Sequence, residues 1–486
     1  MGCTAVQRPK LGSTFVEDRQ RINAVNEIKV DPGIFVSENK QKFQEVYRLG
    51  KRLKLMNNGE VRICYHRDTS AKRAVKILRK DFLMYQDESF DYENEIDIFK
   101  SLDHPNIARM YEFFDDDRHI YIVMEYCSGG ELFQEIAKRQ MFTEIHAARI
   151  MYQLLSAVSY LHTNMIFHRD IRPENILLEE KNEIFNIKLI DFGASVLSRK
   201  NYKMIIDQDS LIYTDPEALT GEYNEACDMW SCGIIAYILL CGHAPHNMKS
   251  VSSLENMDFG YNQEPWTHLS TESKDFVSKL LCPPSGRLAA KEAISHSWVA
   301  NRAYPSLPGQ EIVTEVLENL ASYHTNNKLK DAVQTYITSQ LMTLKDTRVL
   351  REVFRSLDKN GDGKLCKSEL LEAFNSTMGE AFNEDDIAKI LNVISGGNND
   401  YINYTEFLKA TLDQRKVMSR DNLKGAFAMF DKDGNGTICA DELRKVLEGG
   451  HQSNDEIWHE IIHQIDQNRD GEIDLQEFRD FVLSKT

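Results

Sequence analysis

Two aspartates and an asparagine near the middle of the chain have the types and spacing that phosphoryl transfer requires. Asp170 and Asn175 lie five positions apart in the stretch HRDIRPENILL, and Asp191 follows at the start of a DFG tripeptide. Phosphoryl transfer needs a carboxylate that orients the attacking hydroxyl, together with an amide and a second carboxylate that hold magnesium. The order and types of these residues therefore predict an active site, with Arg172 as a cation beside the catalytic aspartate.

Three stretches of twelve residues in the last third repeat a second pattern of oxygen-bearing side chains. They read DKNGDGKLCKSE, DKDGNGTICADE and DQNRDGEIDLQE. Each has oxygen ligands at positions 1, 3 and 5, glycine at 6, an apolar residue at 8 and glutamate at 12, the pattern of an EF-hand calcium loop. We predict three calcium sites, in which position 7 binds through its backbone carbonyl. The predicted ligands are Asp358, Asn360, Asp362, Lys364 and Glu369; Asp431, Asp433, Asn435, Thr437 and Glu442; and Asp466, Asn468, Asp470, Glu472 and Glu477.

A fourth copy of this pattern, from Ser395 to Glu406, is degenerate. It has Gly397 at position 3 and Asp400 where glycine belongs. One strong carboxylate is too few for calcium, so we expect this loop to pair with the first loop without binding the ion. Among the three complete loops, the last adds Asp474 at position 9, and we expect it to bind calcium most tightly.

The segments on either side of Asp170 predict the elements that would position it. An apolar helical pattern, MYQLLSAVSYLH, precedes it, and an apolar strand pattern, IFNIKLI, leads to Asp191. With a helix, a strand and the HRD and DFG motifs placed in this order, the segment resembles the catalytic and magnesium loops of eukaryotic serine/threonine protein kinases. The resemblance runs from about Tyr47 to Trp298 and implies a small β-rich lobe followed by a large α-rich lobe.

The same resemblance implies an ATP site. Lys76 lies where the kinase lysine reaches the α- and β-phosphates, and Glu95 in ENEIDIFKSL is its expected ion-pair partner. The family covers the phosphates with a GxGxxG hairpin, of which Gly50 and Gly59 would be the outer glycines. The middle glycine is absent, and extra residues with side chains fill the loop, where close approach of backbone amides to phosphate needs none. The remaining implied nucleotide contacts are Val61, Ala74, Met124 behind the adenine pocket, and Glu125 and Cys127 in the hinge.

The chain departs from the family pattern after the DFG tripeptide. Glu217 and Arg287 resemble the family's structural ion pair. The family usually has Gly-Thr where this chain has Asp209-Ser210, and alanine where it has Asp215. We expect Asp209 and Asp215 to add negative charge beside the peptide site, and Ser210 to offer its hydroxyl to the catalytic aspartate.

Two amphipathic stripes separate the kinase-like part from the calcium loops. The first comprises Val313, Val316, Leu317 and Leu320; the second comprises Leu329, Val333, Tyr336, Ile337 and Leu341. Either stripe could simply pack on a neighbouring domain. Their position between a kinase and a calcium module favours a regulatory junction, because an amphipathic helix is a target for an opened calcium-binding lobe.

Bulk composition excludes several classes of protein. A length of 486 residues suggests roughly three domains. The net charge of −17 argues against a broad nucleic-acid-binding surface. The nine cysteines form no CxxC pair, which favours reduced thiols over disulfides or a zinc site. The longest apolar run, near 234–240, is too short to span a bilayer, and no secretory signal is visible.

The chain begins Met-Gly-Cys, so Gly2 could carry myristate and Cys3 palmitate. Two lipids anchor a protein stably where one is marginal. Val6 occupies the position where the acylation pattern has serine or threonine, and a frayed, unmodified terminus is the alternative. We predict a cytoplasmic protein whose association with membranes depends on this acylation.

The order of these parts resembles the calcium-dependent protein kinases of plants and protist parasites. We predict an α+β kinase fold followed by an all-α EF-hand domain with two EF-hand pairs. The predicted divisions are an N-terminal extension (1–42), a kinase domain (43–299), a junction (300–345) and a calmodulin-like domain (346–486). The resemblance implies ATP, Mg²⁺ and Ca²⁺ as cofactors, protein substrates, and a junction helix that the EF lobes bind.

Two alternative functions compete with a calcium-activated serine/threonine kinase. The first is a calcium-switched scaffold with a weak or inactive kinase domain, which the altered glycine loop suggests. The second is a calcium buffer or adaptor that uses only the last third of the chain. Phosphotransfer to a peptide with calcium and with chelator distinguishes the kinase from the scaffold, and thermal stabilisation by nucleotide would count against the buffer.

Overall fold

The computed structural model describes residues 32–83, 92–181, 183, 185–197, 211–218, 224–245, 259–303, 309–324, 327–379, 382–397, 400–447 and 455–484. Gly2, Cys3 and Val6, on which acylation depends, lie outside these residues, as do Asp209 and Ser210. The architecture is α+β, with a sheet-rich small lobe, a helical large lobe and a helical C-terminal module, which confirms the predicted fold class.

The small lobe is built on one antiparallel sheet of five strands in the order β1-β2-β3-β5-β4. Successive side chains of β3 point to opposite faces of the sheet. Val75 and Ile77 pack with Phe43 and Tyr47 on the outer face, whereas Lys76 faces the large lobe. The strands are β1 Tyr47–Met56, β2 Gly59–His66, β3 Lys72–Arg79, β4 Met110–Asp115 and β5 His119–Met124, with helices α1 Phe43–Val46, α2 Lys80–Leu83 and α3 Tyr92–Lys100.

The large lobe packs around two long helices. The first, α5 Glu144–Thr163, begins at Thr143, whose side chain caps the His146 amide. The second, α6 Ala226–Cys241, is apolar on nearly every side and is buried almost throughout, because other elements surround it. The other elements are β6 Gly130–Glu131, α4 Leu132–Arg139, β7 Ile166–Phe167, β8 Ile176–Leu178, β9 Ile187–Leu189, β10 Val196–Leu197, α7 Thr271–Leu280, α8 Ala290–Ser295 and α9 Ser297–Ala300.

Two junction helices, α10 Gln310–Ser322 and α11 Lys328–Tyr336, lead into the C-terminal module, and α11 continues as a π-helical turn, Ile337–Leu341. Their apolar stripes are buried in the same core as the helices of the module. The module consists of α12 Leu344–Leu357, β11 Lys364–Cys366, α13 Lys367–Met378, α14 Glu384–Ile394, β12 Tyr401–Asn403, α15 Tyr404–Thr411, α16 Gln414–Val417, α17 Arg420–Phe430, β13 Thr437–Ile438, α18 Ala440–Leu447, α19 Asp455–Ile465, β14 Ile473–Asp474 and α20 Leu475–Leu483.

The C-terminal module packs directly on the two lobes. Asp103 accepts hydrogen bonds from the backbone amide and hydroxyl of Thr405, both at 2.8 Å, at the N-terminus of α15. Gly363 packs so closely that a Cβ there would lie 2.4 Å from a ring carbon of His104, before β4, and 2.9 Å from one of Tyr160 on α5. Within the described ranges, no helix has both the length and the apolar character needed to cross a bilayer.

Candidate active site and calcium loops

Strand β3 and helix α3 bring three charged side chains together in the cleft between the lobes. The Lys76 ammonium lies 2.6 Å from Glu95 Oε1 and 2.9 Å from Asp191 Oδ1. Burial lowers the pKa of Lys76, but the charges of Asp191 and Glu95 outweigh this effect and raise it above its ordinary value. Burial raises the pKa of Asp191, whereas the charge and hydrogen bond of Lys76 bring it down to about 2. Burial raises the pKa of Glu95, although the charge of Lys76 acts in the opposite direction. Lys76 and Asp191 are therefore charged near neutral pH.

The loop that carries Asp170 is shaped by a buried carboxylate from α6. Asp228 accepts the backbone amides of His168 and Arg169 at 2.9 and 2.8 Å, and the ring of His162 lies 2.9 Å from the same carboxylate. These bonds hold Arg169 at a φ of +66°, a left-handed conformation that non-glycine residues rarely adopt. Such strain persists where the surrounding structure fixes it, and it is common at active sites.

Asp170 and Asn175 face each other across this loop. The Asn175 side-chain amide donates to Asp170 Oδ2 at 2.7 Å and to the Asp170 backbone carbonyl at 2.9 Å. Burial and the nearby charge of Asp191 raise the pKa of Asp170, although Arg172 acts in the opposite direction. The Arg172 side chain also bonds Glu174 Oε2 at 2.9 Å. The four predicted catalytic residues thus meet in one cleft, with Asp170 suited to accept a hydrogen bond from a hydroxyl.

The DFG tripeptide is held with its phenylalanine inward. The Phe192 ring stacks on Phe99 of α3 at a centroid distance of 5.2 Å and lies 5.0 Å from the His168 ring. Because Phe192 packs against α3, the same contact keeps Glu95 close to Lys76. Asp191 itself has a φ of +68°, which directs its carboxylate into the cleft.

The predicted adenine wall lies on one face of the sheet. Val61 pairs with Lys76, and Met124 pairs with Ala74, so these side chains share the cleft face. At the predicted hinge, the Glu125 backbone amide donates to Arg109 O at 2.8 Å, which leaves the Glu125 carbonyl as its backbone group for a nucleotide. The Glu125 side chain points away and pairs with Lys188 at 3.0 Å. Cys127 is buried beside this hinge.

The predicted hairpin of two strands forms, but the extra residues lie in its first strand and not in an open loop. Strand β1 continues to Met56, and the hairpin turns only at 57–58, so Gly50 lies inside a strand and Gly59 opens the next one. The Gly50 carbonyl accepts hydrogen bonds from the Arg62 guanidinium, and a Cβ at Gly59 would lie 1.9 Å from Ile77 O. Both glycines therefore serve the packing of the sheet. The inserted residues lengthen β1, and two bulges absorb them.

The ion pair predicted between Glu217 and Arg287 is also different. Arg287 pairs with the carboxylate of Asp215, and both side chains are buried. The Glu217 side chain is exposed, while its backbone amide donates to Asp215 Oδ1 at 3.1 Å. The expectation that Asp215 adds negative charge beside the peptide site is therefore wrong, because its charge is neutralised by Arg287 inside the large lobe.

The three complete calcium loops share one local geometry. In each, the first aspartate accepts the amide of the glycine at position 6, at 2.8 or 2.9 Å, and that glycine has a positive φ. The glutamate at position 12 turns back over the loop and accepts the amides of positions 2 and 3. In the loop of Asp431, Asp433 and Glu442, carboxylate oxygens converge to within 4.8 Å of one another. Such converging oxygens fit a hard divalent cation.

The loops are paired by short strands: β11 and β12 join the loop of Asp358 to the degenerate copy, and β13 and β14 join the loop of Asp431 to that of Asp466. In the degenerate copy, Glu406 accepts the Asn403 amide at 2.8 Å, as the position 12 glutamates of the complete loops accept the amide three positions before them. Asp474 caps helix α20, accepting the amides of Gln476 and Glu477 at 2.7 and 2.8 Å. Whether Asp474 also tightens calcium binding stays a prediction.

Three arginines that tie the junction and the C-terminal module to the lobes were missed in the sequence. Arg109 donates to the backbone carbonyls of Thr338 and Ser339 at 3.3 and 2.7 Å, and Arg73 donates to Gln340 O at 3.2 Å. Arg351 pairs with Glu179 at 2.8 Å, and each side chain is 2% exposed. The partners lie more than 170 positions apart, and no local pattern marks them.

Comparisons with known proteins agree with this architecture. The family model described as "Protein kinase domain" matches residues 56–299, and that described as "EF-hand domain pair" matches residues 347–412 and 420–483. "Calcium-dependent protein kinase 4" of Plasmodium berghei is 36% identical over 97% of this chain and 92% of its own length. The protein of the same name in Plasmodium falciparum is 36% identical over 95% and 90%. "Calcium-dependent protein kinase 7" of Oryza sativa is 32% identical over 90% and 80%.

The fold and the cleft thus define a protein kinase joined to paired EF-hands. The chain belongs to the calcium-dependent protein kinase family. The resemblance predicted from the motifs is confirmed, as is the assignment to serine/threonine protein kinases.

Proposed function

We propose that the chain transfers the γ-phosphoryl group of ATP to serine or threonine hydroxyls of proteins, and that calcium bound at three of its own loops switches this activity. The observation that carries the proposal is Lys76, held by Glu95 at 2.6 Å and by Asp191 at 2.9 Å. These contacts support the proposal, because a kinase needs a cation for the nucleotide, a helix that supports it and a carboxylate for magnesium close together.

Each cleft residue has a separate part in this reaction. Lys76 holds the α- and β-phosphates, and Glu95 keeps its ammonium in place. Asn175 and Asp191 hold magnesium, which when bound neutralises charge on the phosphates. Asp170 accepts the hydrogen bond of the attacking hydroxyl, and its raised pKa lets it take that proton as the bond to phosphorus forms. The scaffold alternative has no support from this cleft, where all five groups are assembled.

The junction is proposed as the element through which calcium acts. The stripes of α10 and α11 are buried among the EF helices, and Arg109 and Arg73 hold the carbonyl end of the following π-helical turn against the small lobe. Cations at a helix C-terminus stabilise it. When the calcium-loaded EF-hand pairs bind the junction, they would therefore keep the junction helices away from the substrate cleft and hold them behind the hinge.

Phosphotransfer to a generic serine/threonine peptide tests the proposal. With labelled ATP and magnesium, the full chain should transfer phosphate in calcium and much less in chelator, and Asp170→Asn should lose at least about 100-fold in either condition. Equal transfer by Asp170→Asn and the unaltered chain would overturn the assigned chemistry. Hydrogen exchange at 310–336 tests the junction, since protection there should rise when calcium is added and should not change if the junction is a fixed spacer.

Three calcium sites and the location of the protein are further parts of the proposal. Calorimetric titration should give three ions per chain, and Glu406→Gln should leave this number unchanged. We also propose that the protein is cytoplasmic, with membrane attachment through Gly2 and Cys3 when these residues are acylated. Mass spectrometry of the protein from its natural source checks this, and an unmodified Gly2 would contradict it.

A further inference from the structure

The hairpin that covers the cleft lacks the groups with which a glycine-rich loop binds phosphate. Between Gly50 and Gly59 every residue carries a side chain, and most of the segment is strand. Backbone amides reach phosphate closely where no side chain intervenes. If this protein binds ATP, as the proposed function requires, the positive partner that covers the phosphates has to come from a side chain of the hairpin.

Strand register places one lysine of the hairpin over the cleft. Lys54 pairs with Val61 on the neighbouring strand, and Val61 pairs with Lys76 on the next. Residues directly opposite in an antiparallel sheet point to the same face, so Lys54 shares the face of Lys76. The neighbours Leu53 and Leu55 alternate to the other face and are 47% and 69% exposed.

The position of the Lys54 ammonium agrees with this register. Its nitrogen lies 3.8 Å from Glu131 Oε1, on the opposite wall of the cleft, and its charge acts on the carboxylate of Asp191. The side chain is 42% exposed, so a ligand that enters the cleft can reach it. The ammonium thus lies beside a carboxylate at the mouth of the cleft and within electrostatic reach of Asp191 inside it.

We propose that Lys54 binds the phosphates of the nucleotide and replaces the missing glycine amides with a charged side chain. A lysine is suited to this contact because its compact ammonium binds phosphate as a point charge. Glu131 holds the side chain over the cleft before the nucleotide binds. The contact concerns the phosphates, so it discriminates ATP and ADP from adenosine.

Calorimetric binding of ATP, ADP and adenosine to the full chain tests this role. Lys54→Met should weaken the binding of ADP and ATP by roughly tenfold, about 1.4 kcal/mol, and leave the affinity for adenosine unchanged. Lys54→Arg should keep most of the affinity, because it keeps the charge. Lys51→Met is the matched control, since it removes an exposed cation from the same hairpin and should bind all three ligands like the unaltered chain.

Each other result contradicts the inference in a recognisable way. Unchanged ADP affinity in Lys54→Met shows that the lysine does not contact phosphate, and tighter binding shows that the Lys54–Glu131 pair obstructs the cleft. An equal loss of affinity for adenosine and ADP in Lys54→Met shows that the lysine supports the fold of the hairpin. If the unaltered chain binds neither ATP nor ADP, the proposed function itself fails, which is a separate outcome.

Discussion

The buried ion pair between Arg351 and Glu179 gives the sharpest test of how the C-terminal module acts on the lobes. Arg351 lies on α12, next to the first calcium loop, and Glu179 follows β8 of the large lobe. Each side chain is 2% exposed and their charged atoms are 2.8 Å apart. Arg351→Met leaves the Glu179 carboxylate buried without its cation, which costs about 3 kcal/mol or more.

This cost should appear as a higher calcium requirement, because the docked arrangement is the one in which the cleft is assembled. If the binding of three calcium ions drives docking, a loss of about 3 kcal/mol in docking free energy is shared among them, at about 1 kcal/mol for each ion. The calcium concentration for half-maximal phosphotransfer should then rise roughly fivefold. Removing both charges in Glu179→Gln/Arg351→Met should restore part of the loss, since a neutral pair no longer buries an uncompensated charge.

Arg348→Met is the control for this experiment. Arg348 lies on the same helix and pairs with Glu183 of the large lobe at 2.6 Å, but the two side chains are 47% and 27% exposed. An exposed pair contributes about 0–1 kcal/mol, so its loss should shift the calcium curve little. Identical calcium curves for Arg351→Met, Arg348→Met and the unaltered chain would refute the reasoning, provided that thermal melts show all three folded.

Two further predictions concern carboxylates of the lobes that pair with a buried cation. The pKa of Asp191 is about 2, against an ordinary value of 3.8, so its ionised form stabilises the fold above about pH 4 and this contribution is lost as the pH falls toward 2. The difference in unfolding free energy between the unaltered chain and Asp191→Asn should therefore shrink between pH 6 and pH 3 in denaturant titrations, and a constant difference would contradict the ion pair. Asp215→Ala should lower the free energy of unfolding by about 3 kcal/mol, because Arg287 stays buried without its carboxylate. Glu217→Ala should lower it by less than about 1 kcal/mol. A larger loss for Glu217→Ala than for Asp215→Ala in the same titrations would favour the Glu217–Arg287 pair first expected.

The features that sequence reasoning predicted well are local ones. A calcium loop takes its ligands from twelve consecutive residues, so the order Asp358 to Glu369 already contains its geometry. The HRD and DFG motifs similarly carry Asp170 and Asn175 on one loop and Asp191 just after strand β9. Helical periodicity also identified the junction stripes, because their apolar residues face one side.

The features that sequence reasoning missed depend on contacts between distant segments of the chain. Arg287 has two carboxylates from one short segment as candidates, and only the fold decides that Asp215 is the buried one. The spacing of Gly50 and Gly59 suggested a loop, but strand pairing with β2 extends through the inserted residues. Arg351 is an ordinary polar residue of an amphipathic helix until the module docks on Glu179.

The most direct test of the central claim removes the position 12 carboxylates from all three loops at once. Phosphotransfer by Glu369→Gln/Glu442→Gln/Glu477→Gln should stay at the chelator level across a full calcium titration, while ATP affinity stays that of the unaltered chain. Calcium activation of this variant to the level of the unaltered chain would show that the ion acts elsewhere, and the account of an in-chain calcium switch would be wrong.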